Sequence, residues 1–403
     1  MKITKIDCHV LSDPSPDLSA TSSAQDDIVV EIHTDEGLIG IGETDVNPWI
    51  AEACITAPGT HSMGQSLTDM LIGEDPLNVE ELWERLYVGS AMNGRRGAVV
   101  HAIGALDMAL HDLRGKYHGV PTYKLLGDAV RDSVPPYASL QPETEDFDSY
   151  REELVAWAIR AKERGFTAAK PSLTLSGPYA HRGMNEPWVR ATEVLKDLRS
   201  ALGDDFTLMV DVQYAFPDAD TCIEVLRDWE QFDLYFVETP LPADDVKGLH
   251  RVATEQPIPI ATGEWWSTRF EFEPLIERGS IQVAQPDIGR VGGLTEALRV
   301  ARMAADNGLR VIPHLWNTGI SVAAAVHFAA VSANCPFVEF LPPDLSESPL
   351  RKELLSTELQ MTDGVLALPT APGLGIELDR DALERFTQAA RNLYQRTRNG
   401  ARA

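Results

Sequence analysis

Positive charge is scarce in this sequence: 35 Lys and Arg stand against 61 Asp and Glu, a formal net charge of -26. That balance excludes broad attraction to nucleic acid or to anionic membranes, which would be repelled over most of the surface. An anionic substrate would need its positive charge supplied locally, and a bound divalent cation would supply it. Cysteine is scarce as well. Cys8, Cys54, Cys222 and Cys335 are widely spaced, with no Cys-x-x-Cys pair to suggest zinc or redox chemistry, and they read as reduced core residues. Long apolar runs are missing. No segment approaches the roughly 20 residues that cross a bilayer, and the start, Met1-Lys2-Ile3-Thr4, has no apolar stretch with a cleavage site. The expectation is a cytoplasmic protein without membrane or nucleic-acid partners.

What remains is ample material for a core: 403 residues, 44% of them hydrophobic, enough for one large barrel with an accessory piece. Ile28-Val29-Val30-Glu31-Ile32 and Leu38-Ile39-Gly40-Ile41-Gly42 flank a Thr34-Asp35-Glu36-Gly37 turn, which predicts a hairpin. The Ser12 to Asp27 stretch before it is rich in Ser, Pro and Asp and reads as a long, functional loop. Apolar positions at Val99, Ala102, Ile103, Leu106, Leu110 and Leu113 share one helical face. From Val134 the pattern changes to eight short β-rich runs separated by helical segments: 134–140, 167–173, 207–212, 234–238, 258–262, 281–284, 310–314 and 337–340. Eight strands with crossover helices make a (β/α)8 barrel. The last run is followed by Pro342-Pro343 rather than a barrel helix, and a helix near Asp381 to Arg396 ends the tail.

Barrel enzymes carry their chemistry at the carboxyl ends of the strands, and here those ends are ionisable one after another. They are Lys170, Asp211, Glu238, Glu264, Asp287, His314 and Glu339; from Asp211 onward the spacings are 27, 26, 23, 27 and 25 residues, one β/α unit each. Any single strand-end carboxylate is ordinarily just hydrogen-bonded or solvated. Three on consecutive strands, Asp211, Glu238 and Glu264, would repel one another severely unless a cation or protons neutralised them. All-oxygen donors favour Mg²⁺ over zinc. Asp287 and His314 end the next two strands, and a carboxylate beside an imidazole fixes its tautomer and raises its basicity, which makes His314 a candidate general base.

The strand-end series, together with Gln285-Pro286-Asp287-Ile288-Gly289-Arg290-Val291-Gly292-Gly293-Leu294-Thr295-Glu296-Ala297, resembles the enolase superfamily, and within it the mandelate racemase branch with its acid-sugar dehydratases. The likeness covers essentially the whole chain. It implies an α/β fold, a modified (β/α)8 TIM barrel of (β/α)7β type, with residues 1–127 as an α+β capping domain, 128–345 as the barrel and 346–403 packing back on the cap. It further implies Asp211, Glu238 and Glu264 as Mg²⁺ ligands, Asp287 and His314 as the proton-handling dyad, and Glu339 facing the substrate carboxylate or enediolate opposite Lys170. A homo-oligomer, dimer or octamer, follows from the same likeness.

One departure bears on the reaction. Branch members that need a base on each face of the substrate carry Lys-x-Lys on the second strand, whereas this chain has Lys170-Pro171-Ser172. Ser172 is no base without an activating partner. Racemisation is thereby disfavoured, and a dehydration in which His314 takes the α-proton and returns it to the departing β-hydroxyl is favoured. The expected enzyme is a Mg²⁺-dependent hydro-lyase acting on an aldonate or aldarate of about five or six carbons. The rivals are a lactone cycloisomerase or epimerase of the same superfamily and a non-catalytic, metal-binding barrel. Specificity is expected from loop residues: Ser172, Tyr214, Trp265, Trp316, Arg95 and His181, although arginines on a solvated surface and tryptophans in the core are the plainer reading of several. His327 reads as a core helix residue.

Overall fold

The chain opens on three antiparallel strands, β1 (Ile3–Ser12), β2 (Asp26–Thr34) and β3 (Ile39–Thr44), the last two forming the expected hairpin. α1 (Ala98–His118) covers this sheet, its buried side chains running along most of the helix. The approach is close enough that a methyl at Gly40 or Gly42 would run into the carbonyls of Ala109 and Ala105. These positions are described by a computed structural model that covers residues 1–20, 22, 24–346 and 348–398. Thr21 and Ser23, in the long loop singled out above, therefore lie outside the described residues.

Eight parallel strands follow: β4 (Pro136–Leu140), β5 (Ala168–Pro171), β6 (Thr207–Asp211), β7 (Leu234–Glu238), β8 (Ile260–Thr262), β9 (Val283–Ala284), β10 (Arg310–Val311) and β11 (Val338–Phe340). Each falls inside one of the eight runs read from sequence. They pair in the order β10-β9-β8-β7-β6-β5-β4-β11, so consecutive strands are neighbours and β11 lies against β4. Side chains alternate between two cores, as strands buried on both faces require. Tyr137, Ala168, Met209, Phe236, Ala261, Val283 and Ile312 fill the barrel, and a larger set packs beneath the outer helices. The short helix α2 (Ile288–Val291) follows β9, and α3 (Gly319–Val331) is the last full barrel helix. After β11 come a 3-10 turn at Pro343–Leu345, the short helix Pro349–Glu353 and four short strands between residues 355 and 378.

The tail ends in α4 (Arg380–Arg398), which lies on β1. Arg380 grips Glu31 with hydrogen bonds of 2.9 and 2.7 Å, Ala390 enters the cap's core, and Tyr394 stacks on Trp49. All four cysteines are free; Cys222 and Cys335 are buried as expected, while Cys8 and Cys54 are only half-buried, at the margin of the small cap core. Among the described residues no helix is long and apolar enough to cross a membrane.

Candidate active site

The strand ends converge on one cavity of about 140 Å³, lined by Lys170, Tyr179, Asp211, Gln213, Tyr214, Glu264, Trp265, Arg290, His314 and Trp316. Asp211 and Glu238 are register partners across β6 and β7, so their side chains leave the sheet together. The backbone is forced where the strands give way to loops: Gln213, Tyr214 and Thr239 hold φ of 42°, 60° and 46° without being glycine. Strain of this kind persists only where surrounding contacts over-determine it, and it concentrates at functional sites. Here Gln213 N and Thr239 Oγ1 donate to Asp211 Oδ1 at 2.9 and 2.8 Å, so the strained residues orient a candidate ligand.

Lys170 is buried with its Nζ 2.6 Å from Glu238 Oε1 and 2.9 Å from Glu339 Oε1. Burial opposes the charge, but these two carboxylates hold the ammonium well above its ordinary range. Glu339 lies beside Lys170 rather than opposite it, and its Oε2 accepts from Leu315 N at 2.7 Å. Glu339 is fully buried against Lys170, which itself reaches the cavity.

His314 Nδ1 is 2.8 Å from Asp287 Oδ2, and its Nε2 stands 3.4 Å from Glu264 Oε2. The carboxylate on Nδ1 leaves Nε2 as the nitrogen directed at the cavity. Burial alone would depress this imidazole, yet Glu264 and the Asp287 hydrogen bond lift it to about 9. Burial and crowding raise the acids: Asp211 to about 6, with Glu264 adding to the effect, and Glu238 to about 8, with Asp211, Glu339 and Glu264 all contributing.

The donor chemistry fits a hard divalent cation. Carboxylates driven toward their neutral forms, as Asp211 and Glu238 are, mark a crowd of acids with too little positive charge nearby, and added positive charge would let both ionise. It would also cancel the pull of Glu264 on His314 and free that imidazole to act as a base. Among the described residues no three such side chains form a finished ligand cluster. Glu238 has both oxygens engaged, one by Lys170 and the other by Gln285 Nε2, so a cation would compete with Lys170 for it.

The remaining expected residues divide. Tyr214 and Trp265 are stacked at 4.1 Å between ring centres on the cavity wall, where Trp265 stays 42% exposed. Trp316 also lines the cavity, and its Nε1 donates to Ser22 Oγ at 2.9 Å, which ties the β1–β2 loop to the barrel mouth. Ser172 and His181 are buried beside the cavity, 3.3 Å apart, with Tyr150 OH 2.9 Å from His181 Nε2; burial pushes His181 down to about 4. Arg95 is exposed and lies outside the lining. Sequence reasoning passed over Arg290, Tyr179, Gln213 and Asp45. Arg290 sat inside the quoted motif, and Asp45 directly follows β3, so the available signals were the motif for the first and a charged residue at a strand end for the second.

Comparison with known proteins agrees with this fold. Residues 5–127 match the family described as the N-terminal domain of mandelate racemase and muconate lactonizing enzyme, and residues 153–382 match the enolase C-terminal domain-like family. The chain belongs to the mandelate racemase and muconate lactonizing subgroup of the enolase superfamily. It is therefore an enzyme of that superfamily. It is 31% identical to D-galactarolactone cycloisomerase of Agrobacterium fabrum over 96% of this chain and 99% of the relative. It is also 31% identical to L-rhamnonate dehydratase of Saccharopolyspora erythraea, over 87% of this chain and 83% of the relative. Magnesium is present in one similar protein of known structure. That neighbour is a racemase from Streptomyces coelicolor A3(2) with bound magnesium, 26% identical, TM-score 0.81, covering 95% of this chain and 99% of the other.

Proposed function

We propose that this chain is a Mg²⁺-dependent dehydratase of a sugar acid, in which Asp211, Glu238 and Glu264 hold the metal. The observation that carries the reading is an asymmetric pair of walls: His314, backed by Asp287, opens on the cavity, whereas Ser172, where a second lysine would stand, is buried outside the lining with Thr174 Oγ1 at 3.0 Å. When bound, Mg²⁺ would supply Lewis-acid polarisation of the substrate carboxylate.

His314 Nε2 removes the proton from the carbon next to the carboxylate, and Asp287 stabilises the imidazolium that results. The charge that develops on the carboxylate oxygens is met by Lys170, kept cationic by Glu238 and Glu339. The imidazolium then protonates the β-hydroxyl as its carbon–oxygen bond breaks. Water leaves, and the enol tautomerises to a 2-keto-3-deoxy acid. The stacked Tyr214 and Trp265 narrow the approach from solvent.

A second reading, lactone cycloisomerisation, is favoured by the near-complete span of the match to the Agrobacterium enzyme. It uses the same proton transfer at His314 on an enolate left by ring opening. A library of acid sugars and their lactones, incubated with Mg²⁺, separates the two. Dehydration consumes the open acid and yields a semicarbazide-reactive keto acid with solvent deuterium at C3; turnover of a lactone with the open acids left untouched would replace the dehydratase reading with the cycloisomerase one. We further infer a dimer or octamer, which light scattering on the purified chain would test.

A further inference from the structure

Arg290 reaches the cavity wall, yet its guanidinium is largely committed to protein. Nε donates to Asp45 Oδ1 at 2.7 Å, Nη2 pairs with Asp45 Oδ2, and Nη1 donates to the Glu264 carbonyl at 3.4 Å. Nε also stands 3.8 Å from Asp287 Oδ2, the same oxygen that binds His314 Nδ1. The other oxygen of Asp287 accepts from Arg290 N at 3.1 Å, capping α2. One planar fork thus joins the cap, through Asp45, to the ends of β8 and β9.

The cap grips the same segment at three further points. Trp83 Nε1 donates to the Gly292 carbonyl at 2.6 Å. Asp107 of α1 accepts from Thr295 N at 3.0 Å and from Thr295 Oγ1 at 2.6 Å. Gly104 of α1 lies so near the Gly289 carbonyl that a methyl there would collide with it. The segment that carries Asp287 is therefore held from the cap, not only from the barrel.

We infer that Asp45 and Arg290 are positioning residues for proton transfer: their buried ion pair sets Asp287 Oδ2 and, through it, the orientation of the His314 ring. The cap acts on the chemistry through Asp45 from outside the cavity. This rests on the reading of His314 as the proton carrier. Partners that fix a second group's orientation typically change activity by about 10- to 100-fold when removed. A buried pair that has lost one member costs more than a pair replaced whole, so the double variant guards against simple misfolding.

The test reads the ring without substrate. In ¹⁵N-histidine-labelled protein the His314 Nδ1–H resonance is assigned by its loss in His314→Asn. It is then compared in wild type, Asp45→Asn, Arg290→Gln and the double variant, alongside thermal melts. The expected result is a displaced or broadened resonance in all three. With the acid sugar identified by the library, kcat falls about 10- to 100-fold and KM stays nearly unchanged. A wild-type resonance in Asp45→Asn and Arg290→Gln overturns the inference, as does a folded double variant with wild-type resonance and kcat, which would reduce the pair to a tether. A displaced resonance in a protein that transfers no proton from any acid sugar upholds the positioning and counts against the proposed function instead.

Discussion

Two imidazoles are buried in this chain, His314 at the barrel mouth and His327 in α3, and their surroundings shift them in opposite directions. Burial depresses both. At His327 the hydrogen bond to Leu374 opposes it too weakly to matter: Nδ1 accepts from Tyr123 N at 3.1 Å, Nε2 donates to the Leu374 carbonyl at 3.2 Å, and the ring is pushed down to about 4. At His314 Glu264 and Asp287 overcome it, and the ring rises to about 9. The backbone differs in the same sense, since α3 is a regular helix whereas the mouth is edged by Gln213, Tyr214 and Thr239 at positive φ. Burial therefore says little about a histidine's task; what faces the ring decides it.

The sharpest difference between the two is expected from substitution. His314→Asn should lower α-proton exchange with deuterated solvent by about 10²- to 10⁴-fold, the span of a lost general base, with the fold retained by circular dichroism. His327→Asn should leave exchange close to wild type. Equal exchange in both variants would remove His314 from the mechanism. Charge compensation comes next. At a hundredfold excess over its Kd, Mg²⁺ should stabilise the wild type by about 2.7 kcal/mol, seen as a raised melting temperature that a chelator reverses. Asp211→Asn should lose that increment. A melting temperature indifferent to Mg²⁺ and chelator in the wild type would mean that these three carboxylates hold no metal.

Much of this mouth was legible beforehand because a barrel places one strand end per β/α unit, and a regular spacing of ionisable residues survives in one dimension. The order of Asp211, Glu238, Glu264, Asp287 and His314 around the cavity follows from β6 to β10 being consecutive neighbours. Contacts that cross between domains leave no such trace. Nothing local to Asp45 announces that it pairs with Arg290, 245 residues away, and nothing near Trp83 points to the Gly292 carbonyl, 209 residues on. Glu339 shows a third limit. Its strand position was right, but which neighbour its carboxylate would choose, Lys170 or a substrate, depends on side-chain geometry that spacing does not encode. Arg95 shows a fourth, since a charged residue in a loop has no period to fix where it points.

The joint between cap and barrel should answer to packing rather than charge. Gly104→Ala places a methyl against the Gly289 carbonyl, in a backbone contact that has no flexible end to yield. Overpacking of this kind costs about 1–3 kcal/mol, read as a lowered urea midpoint. An unshifted midpoint would mean that the two domains are not pressed together there.

The smallest expected effect belongs to His327 itself and depends on pH. Its folded-state value of about 4 lies below the ordinary value of 6.5, so the folded chain prefers the neutral ring. The corresponding stability is fully present above pH ~6.5 and declines as the pH falls through that value toward 4, because the unfolded chain takes up the proton first. Between pH 7 and 5.5 this single group should cost about 1 kcal/mol. His327→Gln keeps one donor and one acceptor for Leu374 and Tyr123 but cannot titrate, so it should flatten that part of the acid limb in urea melts while leaving the contribution of buried His111, itself pushed down to about 4, in place. A limb as steep in the variant as in the wild type would show that the proton is taken up elsewhere, and that α3 does not hold its imidazole neutral by burial.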